Sequence, residues 1–423
     1  MKYNIPRGTY DILPSQSHKW QHLIRRFQDL AAAYGYREIS TPIFEQSALF
    51  ERSSGSSSDV VQKEMYRFLD RKGREFALRP EGTAPVVRSF IENSWDKTQG
   101  RTKLYYTGPM FRYDRPQAGR YRQFWQYGLE FFGSQHPFYD AEVIAFLWNF
   151  LTSLGLKKIH LEINSVGCPN CLDEYETALK AYYKPHLSEL CGDCQNRFEV
   201  NPKRLLDCKV PSCGVIAAKA PSQLDYLDED CRNHFEQVQH YLKLANIEFE
   251  VNPRIVRGLD YYSHTAFEVI FDGLGAQNTL AGGGRYNYLV EQMGGRSTPA
   301  IGFAGGFERL LLALEEEGVI LDVDPVPDVY AIAMGEEAQK ALLPLIFALR
   351  NQGRKVDYDP EKTSFKAQMK AANNSQARFC LIIGEDELSS NSAILKDMDS
   401  GEQESVALDK VSDHLDSFPL TKS

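Results

Sequence analysis

Between Tyr105 and Gly133 the chain reads YYTGPMFRYDRPQAGRYRQFWQYGLEFFG, with Arg112, Arg115, Arg120 and Arg122 crowded into its centre. A guanidinium is always charged and forks onto two oxygens, so such a cluster suits a phosphate or a carboxylate. Asp114, Pro116 and Gly119 are turn formers, which makes the stretch two strands joined by a loop. Past Tyr121 the pattern alternates. A period of two sets Arg122, Phe124, Gln126, Gly128 and Glu130 on one face and Trp125, Tyr127, Leu129 and Phe131 on the other. The second face can pack on a core. The first offers an amide, a bare backbone and a carboxylate in a row, which fits a ligand with a polar head and an anionic tail. The same alternation also describes an amphipathic strand with a solvated face.

Other segments carry chemistry of the same kind. Glu81 in Leu78-Arg79-Pro80-Glu81-Gly82-Thr83 follows a proline that holds the chain extended, and it could equally cap a helix starting near Ala84. Arg257-Gly258-Leu259-Asp260-Tyr261-Tyr262 precedes an alternating strand through Thr265, Phe267, Val269 and Phe271. Leu280-Ala281-Gly282-Gly283-Gly284-Arg285-Tyr286 is a glycine run without the lysine of a P-loop, and a strand crowded against a neighbour would read the same way. Pro299 to Arg309 gives a strand, a glycine turn and a helix start. A helix N-terminus favours anions, so Arg309 there implies an anionic ligand rather than a stabilising role.

These segments together resemble the class II aminoacyl-tRNA synthetases, in the form carried by histidyl-tRNA synthetases. F-R-x-D-R-P-x-x-G-R-x-R-Q-F with Q-x-G-x-E behind it resembles motif 2. The segment ending in Phe307-Glu308-Arg309 resembles motif 3, and R-G-L-D-Y-Y resembles the histidyl-specific signature. The resemblance covers nearly the whole chain. It implies a two-step reaction, in which L-histidine and ATP give histidyl-adenylate and pyrophosphate, and the histidyl group then passes to the 3′ end of tRNA(His). It implies Arg112, Arg257 and Arg309 as the catalytic cations. A histidine pocket would be built from Glu81, Gly82, Thr83, Arg112, Gln126, Glu130, Arg257, Tyr261, Tyr262 and Tyr286. ATP would meet Arg112, Arg120, Glu308 and Arg309, with Mg²⁺ on its phosphates. Arg115 and Gln117 would meet the acceptor end of the tRNA, although plain surface placement fits those two equally. Two binding proteins resemble the same pattern: a regulatory subunit of histidine biosynthesis, and the sensor module of a stress kinase. The first lacks a C-terminal domain that this chain keeps, and no kinase signature accompanies the second.

The elements that must position these residues follow from periodicity. A helix through Trp20, Leu23, Ile24, Phe27, Leu30 and Tyr34, capped by Ser15 or Ser17 and ended by Gly35, precedes a strand from Glu38 to Phe44 interrupted at Thr41-Pro42. By resemblance this is motif 1 and part of a homodimer interface. Ser53 to Ser58 is a flexible loop with the makings of a lid. Met65 to Leu69 and Glu75 to Arg79 form a hairpin. A helix from about Tyr139 to Leu154 and a strand from Ile159 to Ile163 lead into a helical, cysteine-rich insertion over about 168–250. Beyond the linker Asp324-Pro325-Val326-Pro327, strand and helix alternate as an α/β sheet, which resembles the anticodon-binding domain of several class II synthetases. The fold class is thus α/β and α+β multidomain: an antiparallel-sheet catalytic domain over 1–325 with the insertion, then an α/β domain over 326–423.

The totals agree. The chain has 423 residues, 43% hydrophobic and 25% charged, enough for about two or three domains. Its 48 basic and 57 acidic side chains give a net charge of -9, which argues against broad, non-specific DNA binding but not against local basic patches. No apolar run reaches membrane-spanning length and the first residues do not form a signal peptide, so the cytoplasm is expected, with no membrane partner. Six of eight cysteines lie between Cys168 and Cys213. The pairs Cys168-x2-Cys171 and Cys191-x2-Cys194 have zinc-ribbon spacing, which admits a structural zinc on those four. Reduced structural thiols are the preferred reading, because the family's chemistry needs no zinc, so no metal is assigned.

Overall fold

The computed structural model of the protein describes residues 3–54, 60–208, 210–256, 261–321 and 326–418. The chain divides into two compact units: Met1–Leu13 with Leu23–Ile320, and Pro14–His22 with Leu321–Ser423.

The first unit is built on an eight-stranded sheet. Its strands run in the spatial order Arg37–Glu38, Thr102–Phe111, Gln123–Phe132, Ala300–Gly306, Thr279–Arg285, Ser263–Phe271, Ile159–Ser165, Glu250–Val251. All neighbours are antiparallel except the two-residue strands at the edges. The stretch that opened the sequence reading is the central hairpin Thr102–Phe111 and Gln123–Phe132, paired along its full length from Thr102↔Phe132 to Phe111↔Gln123.

One face of the sheet carries an aromatic layer. Tyr127 lies 5.3 Å from Phe27 and 5.2 Å from Phe150 between ring centroids, and Phe27 meets Phe146 at 5.4 Å. These rings come from the helices Pro14–Ala33 and Phe138–Ser153, and all four are fully buried. A β-carbon at Gly305, cross-strand to Tyr127, would come within 2.3 Å of the tyrosine ring, so only glycine lets the layer close. The sequence assigned a polar, open character to the opposite face, yet Gln126 to Phe132 is buried on both faces.

Three local expectations are corrected. The first helix starts at Pro14, with Leu13 before it and no side-chain cap from Ser15 or Ser17. A proline in the first turn has no amide to satisfy and a preset φ, so it supplies the start that a serine cap was expected to give. The expected strand from Glu38 to Phe44 is split: Arg37–Glu38 joins the large sheet, while Phe44–Gln46 pairs with Glu75–Leu78 in a separate three-stranded sheet. The proline between them ends one ladder and frees the chain to enter the other. Arg79 fixes the crossing, donating from Nη1 to the carbonyl of Thr41 at 2.8 Å and from Nε to that of Pro109 at 3.0 Å. The lid residues 55–59 lie outside the described residues.

A buried ion pair ties the glycine-rich strand to the helix behind it. Arg285 and Asp140 are both fully buried, and Arg285 Nε donates to both carboxylate oxygens at 2.9 Å. Burial alone would raise the Asp140 pKa, but Arg285 and His234 overcome it and hold it down at about 2. Arg285 also donates to the Ser134 carbonyl at 2.9 Å. Its neighbour Tyr286 is thereby fixed in position.

The second unit has a five-stranded sheet in the order Val356–Asp357, Val329–Ala333, Phe379–Ile383, Ser392–Asp397, Gln403–Ala407, parallel through the third strand and antiparallel after it. The helix Glu336–Asn351 covers one face through Leu342, Ile346 and Leu349, and Phe365–Ser375 covers the other through Ala372. This is the α/β alternation read from the sequence. No helix among the described residues is long and apolar enough to cross a membrane.

Breaking a buried pair leaves an uncompensated charge and costs about 3–5 kcal/mol. Asp140→Ala is therefore expected to lower the stability of the first unit by about that much in urea unfolding, whereas removing the exposed pair Arg74–Asp70 leaves the midpoint near that of the parent protein.

Candidate active site

The face opposite the aromatic layer is a floor of small residues. Cross-strand partners share a face, so Glu130, Gly302, Gly284 and Ala266 form one row. Tyr106, Gly128, Ala304, Gly282 and Glu268 form the next. A β-carbon at Gly302 would sit 1.8 Å from Glu130 Oε2, and one at Gly128 would sit 2.3 Å from the Tyr106 ring. The glycines therefore make the room in which a buried carboxylate and phenol can lie flat against the sheet.

Glu130 is fully buried. Thr83 Oγ1 donates to its Oε1 at 2.7 Å, and the Tyr286 hydroxyl donates to its Oε2. Burial pushes its pKa up to about 8, although both hydroxyls favour the charged form. Glu81 lies close by and is also buried, accepting from the amides of Thr83 at 2.6 Å and Ala84 at 2.9 Å at the start of the helix Thr83–Glu92. It thus performs the capping role that was its alternative reading. Burial raises its pKa as well, with Arg112 pulling the other way. Gly82 has no room for a side chain, since a β-carbon would meet the Tyr106 ring at 2.2 Å. Tyr261 packs between Tyr262, tilted at a centroid distance of 4.7 Å, and Tyr286, edge-on at 5.6 Å. Gln126 is buried on the same strand face as Glu130, and its Oε1 has no hydrogen-bond partner. A buried amide left partly unpaired is costly, which marks Gln126 as open to a polar partner.

The arginines lie at the edge of this floor. Arg112 donates from Nε to the Pro80 carbonyl at 2.9 Å, and its guanidinium lies 5.3 Å from the Phe124 ring centroid. Arg309, in the first turn of the helix Phe307–Glu317, donates to the Thr279 carbonyl at 3.0 Å. Its pKa is lowered by burial and then by the charges of Arg120 and Arg112. Two segments distant in sequence, the hairpin loop and the helix start, therefore bring cations into one field. Arg120 is held by Asp114 and, at 3.5 Å, by Glu64. Arg115 and Gln117 are exposed at the tip of the loop. Glu308 faces another way: its Oε1 accepts from the Tyr10 hydroxyl at 2.7 Å and the Trp125 amide at 2.8 Å. Arg257 lies outside the described residues.

Two floor residues escaped the sequence reading. They are Tyr106 and Glu268. Alternation in their own strands gives no reason to single them out; the register against Gly128 and Gly282 does. Beside the floor, a cavity of about 350 Å³ is lined by Cys168, Tyr261, Tyr262, Tyr288 and Glu291 among others. A cleft of about 790 Å³ in the second unit is lined by Asp359 and Lys362, which pair with each other, and gathers no comparable set of buried acids.

This antiparallel sheet, with buried acids on its floor and cations gathered at its edge, is that of the class II aminoacyl-tRNA synthetases, ATP-dependent ligases. Residues 8–310 match the family model for histidyl-tRNA synthetase, and residues 328–417 match that for the anticodon-binding domain. The histidine--tRNA ligase of Pelotomaculum thermopropionicum is 50% identical over 410 residues, covering 97% of this chain and 96% of the relative. That of Geobacillus sp. (strain WCH70) is 50% identical over 418 residues, covering 98% and 99%. The crystal structure of apo Staphylococcus aureus histidyl-tRNA synthetase superposes with a TM-score of 0.83 at 42% identity, covering 98% of this chain and 99% of that one. The chain belongs to the histidyl-tRNA synthetase family.

The Glu130 proton gives a test of the site's energetics. The folded chain holds that proton more tightly than the unfolded chain, where the carboxyl titrates near 4.5. The resulting stabilisation is full below about 4.5 and is lost as pH rises through about 8. Glu130→Gln is expected to flatten this fall in the ligand-free protein by a few kcal/mol, read from urea midpoints across the range. An unchanged pH profile in the variant would assign the proton elsewhere.

Proposed function

We propose that the protein is a histidine--tRNA ligase that activates L-histidine with ATP and transfers it to the 3′ end of tRNA(His). The observation that carries this reading is the pairing of a buried, doubly hydrogen-bonded Glu130 with a set of arginines on one sheet face. The acid suits an imidazole N–H and the arginines suit a triphosphate. The family match and the near-full-length relatives support it.

In this reading the histidine ring donates to Glu130, which Thr83 and Tyr286 hold in orientation, while Tyr262 donates to the other ring nitrogen and Tyr261 walls the pocket. Glu81, beside Gly82, receives the ammonium, and Gln126 faces the carboxylate end. An apolar analogue would leave the buried Glu130 without its ring donor, which allows rejection by roughly 10⁴-fold or more. The histidine carboxylate is already ionised at neutral pH, so no general base is required. One carboxylate oxygen bonds to the α-phosphorus, the bond from that phosphorus to the bridging oxygen breaks, and pyrophosphate leaves with the electron pair. Two anions must be brought together, so catalysis rests on positioning and on positive charge. Arg112 holds the α-phosphate, Arg309 the far phosphate of a bent ATP, and Arg257 the space between carboxylate and α-phosphate. Arg120 and Glu308 border the nucleotide, the latter through the Tyr10 tie. Mg²⁺ accompanies the ATP phosphates as part of the substrate. In the second step the terminal hydroxyl of the tRNA attacks the adenylate's carbonyl carbon and AMP leaves. Arg115 and Gln117 meet the acceptor end, and the second unit takes the anticodon arm. The domains divide as 1–325, with the insertion over about 168–250, and 326–423. The enzyme works as a homodimer in the cytoplasm.

The purified protein is expected to exchange labelled pyrophosphate into ATP only when histidine is added. Exchange driven by another amino acid, or no exchange with histidine bound, would overturn the assignment, the latter in favour of a histidine sensor. Arg309→Ala is expected to lower exchange by about 10²-fold or more while histidine binding, read by calorimetry, stays near that of the parent protein. Arg257→Ala is expected to behave in the same way.

A further inference from the structure

The cysteine pairs do not combine as their spacing along the chain suggested. Cys168 and Cys171 are not grouped with Cys191 and Cys194. The structure gathers two separate sets: Cys191, Cys194, Cys208 and Cys213, and Cys168, Cys171, Asp228 and Cys231, with the candidate ligand atoms of each set within 4.8 Å of one another. A zinc shared by the two CxxC pairs is therefore ruled out, because each pair already faces a different partner.

We propose that the insertion holds two structural zinc ions, one on each set. In the first, Cys191 Sγ lies 3.8 Å from Cys208 Sγ, and the Cys191 amide donates to Cys213 Sγ at 3.2 Å. Four sulfurs placed tetrahedrally around a zinc at about 2.3 Å stand about 3.8 Å apart. A disulfide would need about 2.05 Å, and all eight cysteines are free thiols. A cage this tight takes a single ion rather than an iron–sulfur cluster, and a tetrahedral all-sulfur set selects zinc among the common divalent ions.

The second set stands on its own contacts. Cys171 Sγ lies 3.6 Å from both Cys168 Sγ and Cys231 Sγ. Asp228 Oδ1 accepts from the Cys231 amide at 2.8 Å, which turns Oδ2 towards Cys168 Sγ at 3.2 Å. The Asp228 amide donates to Cys171 Sγ at 3.3 Å. Amide donors on sulfur are the outer contacts that stabilise a metal-bound thiolate. Three sulfurs and a carboxylate oxygen are a zinc set in number and kind.

The packing supplies the need. The apolar cluster around the second set consists of Cys168, Cys171, Leu227 and Cys231 with Leu224 against it, so the thiols themselves are most of the core. The first set is carried partly on the short helices Gly192–Val200 and Pro211–Ala217. Small apolar cores of this kind are commonly held by metals or cross-links.

The test uses the full chain, purified reduced and without chelator. Elemental analysis is expected to give two zinc per chain, falling to one in Cys213→Ser and to one in Cys231→Ser. A serine variant can fail to fold, so cobalt is also titrated into the metal-stripped, reduced parent protein. Thiolate-to-cobalt charge-transfer absorption should saturate at two equivalents and vanish on adding zinc. No bound zinc together with no charge-transfer absorption overturns both sites. A single equivalent lost in Cys213→Ser but kept in Cys231→Ser overturns the Cys168 site, and the reverse pattern overturns the Cys191 site.

Discussion

The constraint on which the catalytic unit depends is strand register. Glu130 must fall opposite Gly302 and Tyr106 opposite Gly128, because a side chain at either glycine would occupy the volume of its partner. A slip of one residue would turn Glu130 into the aromatic layer and Leu129 onto the floor. The layer beneath prevents the slip, since Tyr127 is locked among Phe27, Phe150 and the gap at Gly305. The apolar face thus sets the geometry of the polar one. Burying a carboxylate there is costly, and Thr83 and Tyr286 offset only part of that cost, which is why the Glu130 proton is held to about 8. A pocket kept in this state gains when a ligand brings its own donors.

The cations follow the opposite logic. Arg309 sits at a helix start, partly buried, within the field of Arg112 and Arg120. The helix dipole, the burial and the neighbouring charges all oppose it. Glu268 acts the other way, and a polyphosphate placed there would add to it. The site therefore has one end lined by buried acids and another lined by guanidiniums.

Much of this was legible in the sequence, for physical reasons. The hairpin, the proline-held Glu81, the glycine strand and the Arg309 helix start each depend on local rules of period and backbone shape. The α/β alternation of the second unit is legible on the same grounds. Pairings made across the fold were not. Asp140 and Arg285 stand 145 residues apart, and neither has a local signature. Tyr106 and Glu268 acquire meaning only from the strands beside them. The cysteines show the limit most plainly: spacing along the chain displayed two CxxC pairs, but helix packing decides that one joins Cys208 and Cys213 while the other joins Asp228 and Cys231. The start of the first helix was misread because a serine cap was weighed above the proline before it.

The tie between Tyr10 and Glu308 has a bearing on how the chain matures. The phenol and the carboxylate are 298 positions apart, and the backbone of Gly8 also accepts from the Arg122 amide at 2.7 Å. Contacts of such span form late and slowly. During synthesis at the ribosome the amino-terminal segment must therefore wait, without its partner, until most of the polypeptide has emerged. The tie cannot form until residue 308 has been made, so a product truncated before that point would lack it.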